Sequence, residues 1–189
     1  MPAKKTALKK IALKKIASKK TMAVKSKAKL AKESAVESSL VGKKIPAFNL
    51  AMTGNQTITA SDLKGKVVVI FFYPKDNTSG CTAEGENFRD EYLKFKKKSV
   101  AVYGVSRDSV KSHEGFKAKF QFQFDLISDP EELLCKIFDV MKMKSMYGRQ
   151  YLGLDRSTFV VQDGKVIREW RSVKVPGHVA EVWSFVEKL

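Results

Sequence analysis

The chain has 189 residues, 43% of them hydrophobic, and a formal net charge of +16. That length allows one ordinary domain plus an appendage, and no stretch reaches the ~18 consecutive apolar residues of a membrane span. Only two cysteines, Cys81 and Cys135, are present, in no CxxC or metal-like spacing; this excludes a disulfide-stapled secreted scaffold and suits a reducing compartment.

The charge is unevenly placed. Residues 1–40 hold twelve lysines against Glu33 and Glu37, whereas residues 41–189 hold 24 Lys and Arg against 18 Asp and Glu. Every Phe, Tyr and Trp lies from Phe48 onward. The basic segment carries a near-repeat, Ala7-Leu8-Lys9-Lys10-Ile11, then Ala12-Leu13-Lys14-Lys15-Ile16, then Ala17-Ser18-Lys19-Lys20-Thr21. Five residues advance a helix by about 500°, so the lysine pairs wind around it instead of lining one face. This makes a poor membrane-surface helix, and without aromatics the segment is expected to be disordered when free. Such tails neutralise phosphates without reading sequence. A nucleic acid or another polyanion is therefore one expected partner, and a plain solubilising or targeting tail is the competing reading. No continuous apolar run marks a secretory signal, and the first arginine is Arg89, which argues against a mitochondrial presequence. The expected location is the cytoplasm, nucleoid-associated, or the nucleus, with no membrane partner.

From Val41 the pattern changes. Lys66 to Tyr73 is a continuous β-branched and aromatic run, as expected of a strand covered on both faces. Pro74 to Gly80 is a polar loop, followed by a predicted helix from Cys81 to Lys97. Val100 to Val105 reads as a second buried strand, and Ser109 to Phe120 as a helix capped by Asp108 or Ser109. Phe124 to Ser128 is a short strand. A helix is then predicted from Asp129-Pro130-Glu131-Glu132 to Met141, with Pro130 at its first position. Ser157–Gln162 and Lys165–Arg171 flank Asp163-Gly164, a strong hairpin signal, and Pro176 to Leu189 closes the chain with a helix. Strands alternating with helices, then a hairpin and a helix, define an α/β class with a mixed sheet flanked by helices over residues 41–189, behind a basic tail at 1–40.

The informative stretch runs from Tyr73 to Glu84. It places a lone thiol, Cys81, where a buried strand ends and a helix begins. Unpaired N–H groups and the positive end of the helix dipole stabilise a thiolate there, and the thiolate is the nucleophile. Thr78 can put a hydroxyl in the same pocket, and Pro74 can shield it from water. A hydroperoxide needs a thiolate to attack one oxygen and donors to stabilise the oxygen that leaves.

The spacing Pro74-x-x-x-Thr78-x-x-Cys81 resembles the peroxiredoxin signature. With Tyr73-Pro-Lys-Asp-Asn-Thr-Ser-Gly-Cys-Thr-x-Glu84 and Phe88-Arg89-Asp90 around it, the chain is similar to the peroxiredoxin Q, or bacterioferritin comigratory protein, branch. The likeness covers Val41 to Leu189, including Gly42-x-x-x-Pro46-x-Phe48 and Arg156-Ser-Thr-Phe-Val-Val161. It implies a thioredoxin-like fold and a thiol-dependent peroxidase acting on hydrogen peroxide and organic hydroperoxides through a cysteine sulfenic acid. By the same likeness Cys81 is the peroxidatic cysteine, Thr78 the hydroxyl contacting thiolate and peroxide, Pro74 the shielding proline and Arg156 the supporting guanidinium. Thioredoxin, glutaredoxin or glutathione would be the reductant, with a monomer or weak homodimer as the acting form and no cofactor.

The departure from the family pattern is the resolving cysteine. The positions where relatives carry it are Glu86 and the neighbourhood of Lys117 here. Cys135 remains, and reads either as a small core residue or as an internal resolving thiol. The favoured cycle uses Cys81 alone, with an external thiol restoring it. His113 and His178 read as exposed and isolated and receive no role, and no cluster resembles a zinc or haem site. Met141, Met143 and Met146, near Tyr147, read as packing or a lip to the pocket. Two other functions compete: a thioredoxin-like disulfide reductase, which the absent CxxC opposes, and a DNA- or polyanion-binding protein that carries the peroxidase domain.

Overall fold

The structure is a computed structural model and describes residues 39–146 and 148–189. The lysine repeats, and the disorder expected of them, lie outside the described residues. Leu40–Leu189 forms one compact unit.

The run read as a doubly covered strand is β3 (Val67–Phe72), and it lies inside the sheet. It pairs in parallel with β4 (Val100–Ser106) and antiparallel with β8 (Ser157–Gln162), which makes the sheet mixed. Beyond β4 come β5 (Asp125–Ser128), β1 (Asn49–Met52) and β2 (Gln56–Thr59), and beyond β8 comes β9 (Lys165–Trp170), in the order β2-β1-β5-β4-β3-β8-β9. The β8–β9 turn is Asp163-Gly164, both left-handed with φ of 49° and 71°, as a two-residue hairpin turn requires.

Alternation along β3 divides the core in two. Val68, Ile70 and Phe72 face one side, against Phe48, Ile58, Leu63, Leu134, Cys135 and Phe138. Val69, Phe71 and Tyr73 face the other, against α1 (Ser79–Lys97), α2 (Val110–Phe120) and α4 (His178–Val186). On the first side the cover is a 3-10 turn (Ala60–Leu63) and the short α3 (Leu133–Ile137). The helix α1 lies close to its neighbours: a Cβ at Gly85 would stand 2.5 Å from Cζ of the Phe122 ring.

Several predicted boundaries move. Helix α1 opens at Ser79, two residues early, because Thr78 takes the extended cap conformation. Ser109 is the cap of α2, its side chain accepting from the Ser112 N–H. The helix predicted from Asp129 begins only at Leu133. Asp129 stays outside and accepts the N–H groups of Leu133 and Cys135, at 2.7 and 2.8 Å, and Glu132 is left-handed. Pro130 therefore sits before the helix, not in its first turn. The same helix stops at Ile137; Asp139 turns left-handed (φ 49°) and the chain enters β6 (Met141–Met146), which pairs with β7 (Arg149–Leu154). The methionines placed at a lip lie on this hairpin strand, with Met143 64% exposed. The final helix is shorter than predicted, because Gly177 is left-handed and caps it after Pro176. The hairpin β1–β2 was not predicted: its strands are short, and its turn signal, Gly54-Asn55, lies within a polar stretch.

Candidate active site

After Phe72 the chain leaves the sheet, crosses Pro74 to Asn77, and enters α1 through Thr78. Asn77 bends the loop with a left-handed φ of 58°, a conformation Asn tolerates better than most residues. Cys81 is the third residue of α1 and 2% exposed. The first N–H groups of a helix have no partner inside it, so they and the dipole favour negative charge in this turn.

Register brings the distant partner in. Phe72 at the end of β3 lies opposite Ser157 at the start of β8. The residue before Ser157 is Arg156, which is thereby placed at the sheet end where α1 starts. Its Nη2 donates to Cys81 Sγ at 3.3 Å, and its Nη1 donates to Glu84 Oε2. Gly80 leaves the guanidinium its room: a Cβ there would stand 3.3 Å from Nη2.

Glu84 carried no role in the sequence reading, although i,i+3 spacing puts it on the face of α1 that bears Cys81. It is fully buried and ion-paired to Arg156. Its second oxygen, Oε1, is buried and has no hydrogen-bond partner among the described residues. Burial pushes the Glu84 carboxyl up to about 7 against the pull of Arg156. Burial works to lower the Arg156 pKa, but Glu84 and Cys81 outweigh it and raise the guanidinium further. The result is a cation held against the sulfur at any ordinary pH.

The other expected residues fall as follows. Pro74 is half-buried beside Tyr73, and Thr78 is exposed, its hydroxyl donating to the Lys75 carbonyl at 3.0 Å. Cys135 is fully buried in the cluster on the opposite face of the sheet from Cys81. Burial, then the nearby Asp129 carboxylate, pushes its thiol well up.

Both histidines contradict the expectation of exposure and isolation. His178 is 5% exposed; its Nε2 lies 2.7 Å from Thr158 Oγ1, and burial pushes the imidazole down to about 4. His113 is fully buried and paired with Asp76. His113 has the polar neighbours Ser112 and Glu114 and His178 follows the Pro176-Gly177 turn, and only the packing of α2 and α4 onto the sheet encloses them. Among the described residues, no group of three or more His, Cys, Asp or Glu side chains is arranged to hold a metal ion, and no helix is long and apolar enough to cross a membrane.

Residues 41–170 match the AhpC/TSA family. The chain is 49% identical over 134 residues to peroxiredoxin Bcp of Xanthomonas campestris, covering 70% of this chain and 84% of that protein. It is 44% identical over 142 residues to peroxiredoxin Bcp of Bacillus subtilis, covering 75% and 90%. Among solved structures, a cysteine-to-serine variant of X. campestris peroxiredoxin Q superposes with a TM-score of 0.75 at 44% identity, over 79% of this chain and 99% of that one. The X. campestris bacterioferritin comigratory protein, studied for alkyl peroxide reduction, superposes with a TM-score of 0.72 at 46% identity, over 75% and 90%.

Proposed function

The chain belongs to the AhpC/TSA family, within its Bcp and peroxiredoxin Q peroxiredoxins, and is a thiol-dependent peroxidase; from this premise we propose that Cys81 is the peroxidatic thiol and that Arg156, Thr78 and Pro74 form its pocket. The observation that carries this is the 3.3 Å contact from Arg156 Nη2 to Cys81 Sγ in the first turn of α1.

The step is a displacement at oxygen. The Cys81 thiolate attacks the terminal oxygen of ROOH, an S–O bond forms and the O–O bond breaks. Sulfur is oxidised to the sulfenic acid, and RO⁻ leaves and takes a proton to become ROH. Charge moves from sulfur to the leaving oxygen, so a guanidinium beside both lowers the barrier more than the ground state. One external thiol then condenses with the sulfenic acid, releasing water and forming a mixed disulfide. A second thiol breaks that bond and returns Cys81.

A one-cysteine cycle is favoured because β3 and its neighbours stand between Cys81 and Cys135. A disulfide needs Cα atoms within about 7 Å. The reductant is therefore external: a small thiol such as glutathione, or thioredoxin or glutaredoxin. Substrates are hydrogen peroxide and organic hydroperoxides, the alkyl class being supported by the activity studied in the X. campestris relative. Residues 1–40, with their twelve lysines, form a polyanion-binding appendage separate from this chemistry.

The test is Cys81→Ser. A hydroxyl without an activating base is a poor nucleophile, so peroxide consumption should vanish while circular dichroism stays native. Retention of more than about one-twentieth of the activity would overturn the assignment.

A further inference from the structure

One buried hydrogen-bonded cluster takes no part in the chemistry above. His113, in the first turns of α2, has Nδ1 2.9 Å from Oδ2 and 3.1 Å from Oδ1 of Asp76, and Nε2 3.2 Å from the Ile127 carbonyl of β5. A carboxylate and a carbonyl only accept, so each ring nitrogen faces an acceptor, and Tyr73 Oη lies 3.3 Å from Nδ1 as well. Asp76 also accepts from Tyr73 Oη at 2.8 Å and from Ser112 Oγ at 2.7 Å, and its own N–H donates to Asp108 Oδ2 at 2.9 Å. Burial works to raise the Asp76 carboxyl, but hydrogen bonds from His113 and Ser112 outweigh it and hold the group below its ordinary value.

Asp76 is the midpoint of the loop between β3 and Cys81. It follows Pro74 and Lys75, and precedes the left-handed Asn77 and the cap Thr78, whose hydroxyl reaches back to Lys75. A polar loop of this kind has several conformations of similar energy, and only a strong anchor selects one. The anchor is the buried pair, which joins the loop to α2 on one side and to β5 on the other.

We propose that His113 is a positioning residue of the peroxidase site: seated between Asp76 and the Ile127 carbonyl, it fixes the loop that presents Pro74 and Thr78 to the first turn of α1. It touches neither the sulfur nor the peroxide and acts through Asp76. The inference rests on Cys81 as the reacting thiol.

Two electrophiles separate positioning from plain stability. Peroxide needs the thiolate and aligned donors; iodoacetamide needs the thiolate alone. In the full-length protein, His113→Asn should slow the reaction of Cys81 with hydrogen peroxide by about ten- to a hundredfold, the scale of a small misplacement of catalytic groups, and leave alkylation within about threefold. Asp76→Asn should split the two rates in the same way. A folded His113→Asn variant with the wild-type peroxide rate, or one losing both reactions equally, would overturn the proposal. Should His113→Asn not fold, nitrogen NMR of the wild-type imidazole decides. A proton on Nδ1, hydrogen-bonded to Asp76, is the expected result, and a lone pair on Nδ1 defeats the proposal. Failure of the underlying reading is distinguishable, since it would leave Cys81→Ser active.

Discussion

At the scale of single residues, the site is a chain of three groups, Cys81, Arg156 and Glu84, in which each polarises the next. Arg156 lies between two groups that carry or can carry negative charge, and its hold on the sulfur depends on what Glu84 carries. Burial holds the Glu84 carboxyl up at about 7, above its ordinary value of 4.5. Between these two values the folded protein keeps a proton that the unfolded chain has released. Stability contributed by this group is therefore full below pH 4.5 and falls as pH rises toward and through 7. Glu84→Gln removes that slope, since an amide keeps the shape and an acceptor for Arg156 but does not titrate. The variant should gain about 2 kcal/mol on the wild type between pH 5 and 7.5, read from urea unfolding at the two pH values. Parallel pH profiles for the two proteins would mean that Glu84 is ionised throughout.

At the scale of elements, α1 does two jobs with one face. Cys81, Glu84, Gly85, Phe88 and Phe95 are its buried residues, a helical stripe at i, i+3, i+4, i+7 and i+14. The apolar members bind the helix to the sheet, and the first two make the site. Helix α3 is the counter-case. It is five residues long, anchored by the Asp129 carboxylate on the N–H groups of Leu133 and Cys135, and packed against the other face of the sheet. Bringing Cys135 to Cys81 would mean dismantling that packing at a cost of several kcal/mol. Cys135→Ser should therefore turn over like the wild type with a small-thiol reductant, apart from a stability loss of about 1–3 kcal/mol for a more polar group in a fully buried site. One equivalent of peroxide should add one oxygen to the wild-type mass, on Cys81. Loss of two hydrogens within one monomer would mean that an internal disulfide forms after all.

At the scale of the whole molecule, the residues that match the family lie within Leu40–Leu189, and most of the excess charge lies in residues 1–40. If the tail is an appendage for polyanions, the two properties should separate cleanly. A 41–189 form should consume peroxide at the full-length rate. At low salt, full-length protein should shift duplex DNA regardless of base sequence, and the short form should bind far more weakly. Affinity should fall steeply with salt, because lysines on phosphates release counterions. Equal DNA binding by both forms would place the polyanion site outside the tail.

Local sequence determined the class of fold and the position of the nucleophile. The run Val67–Phe72 reads as a covered strand, Asp163-Gly164 as a tight hairpin, and the passage from Tyr73 through Thr78 to Cys81 places the thiol in a helix's first turn. Each of these is a near-neighbour property set by backbone preference and hydrophobic period. Tertiary structure decided the rest. Arg156 reaches Cys81 from 75 residues away because β8 pairs with β3 in one register; in the sequence it matched a motif, but nothing local told where its guanidinium would point. Glu84, Asp76 and His113 look like ordinary polar residues on helices and a loop, and become a buried polar framework only when α1 and α2 close over the sheet. The two cysteines likewise look like a possible pair along the chain, and it is the intervening sheet that separates them, because α1 packs on one of its faces and α3 on the other.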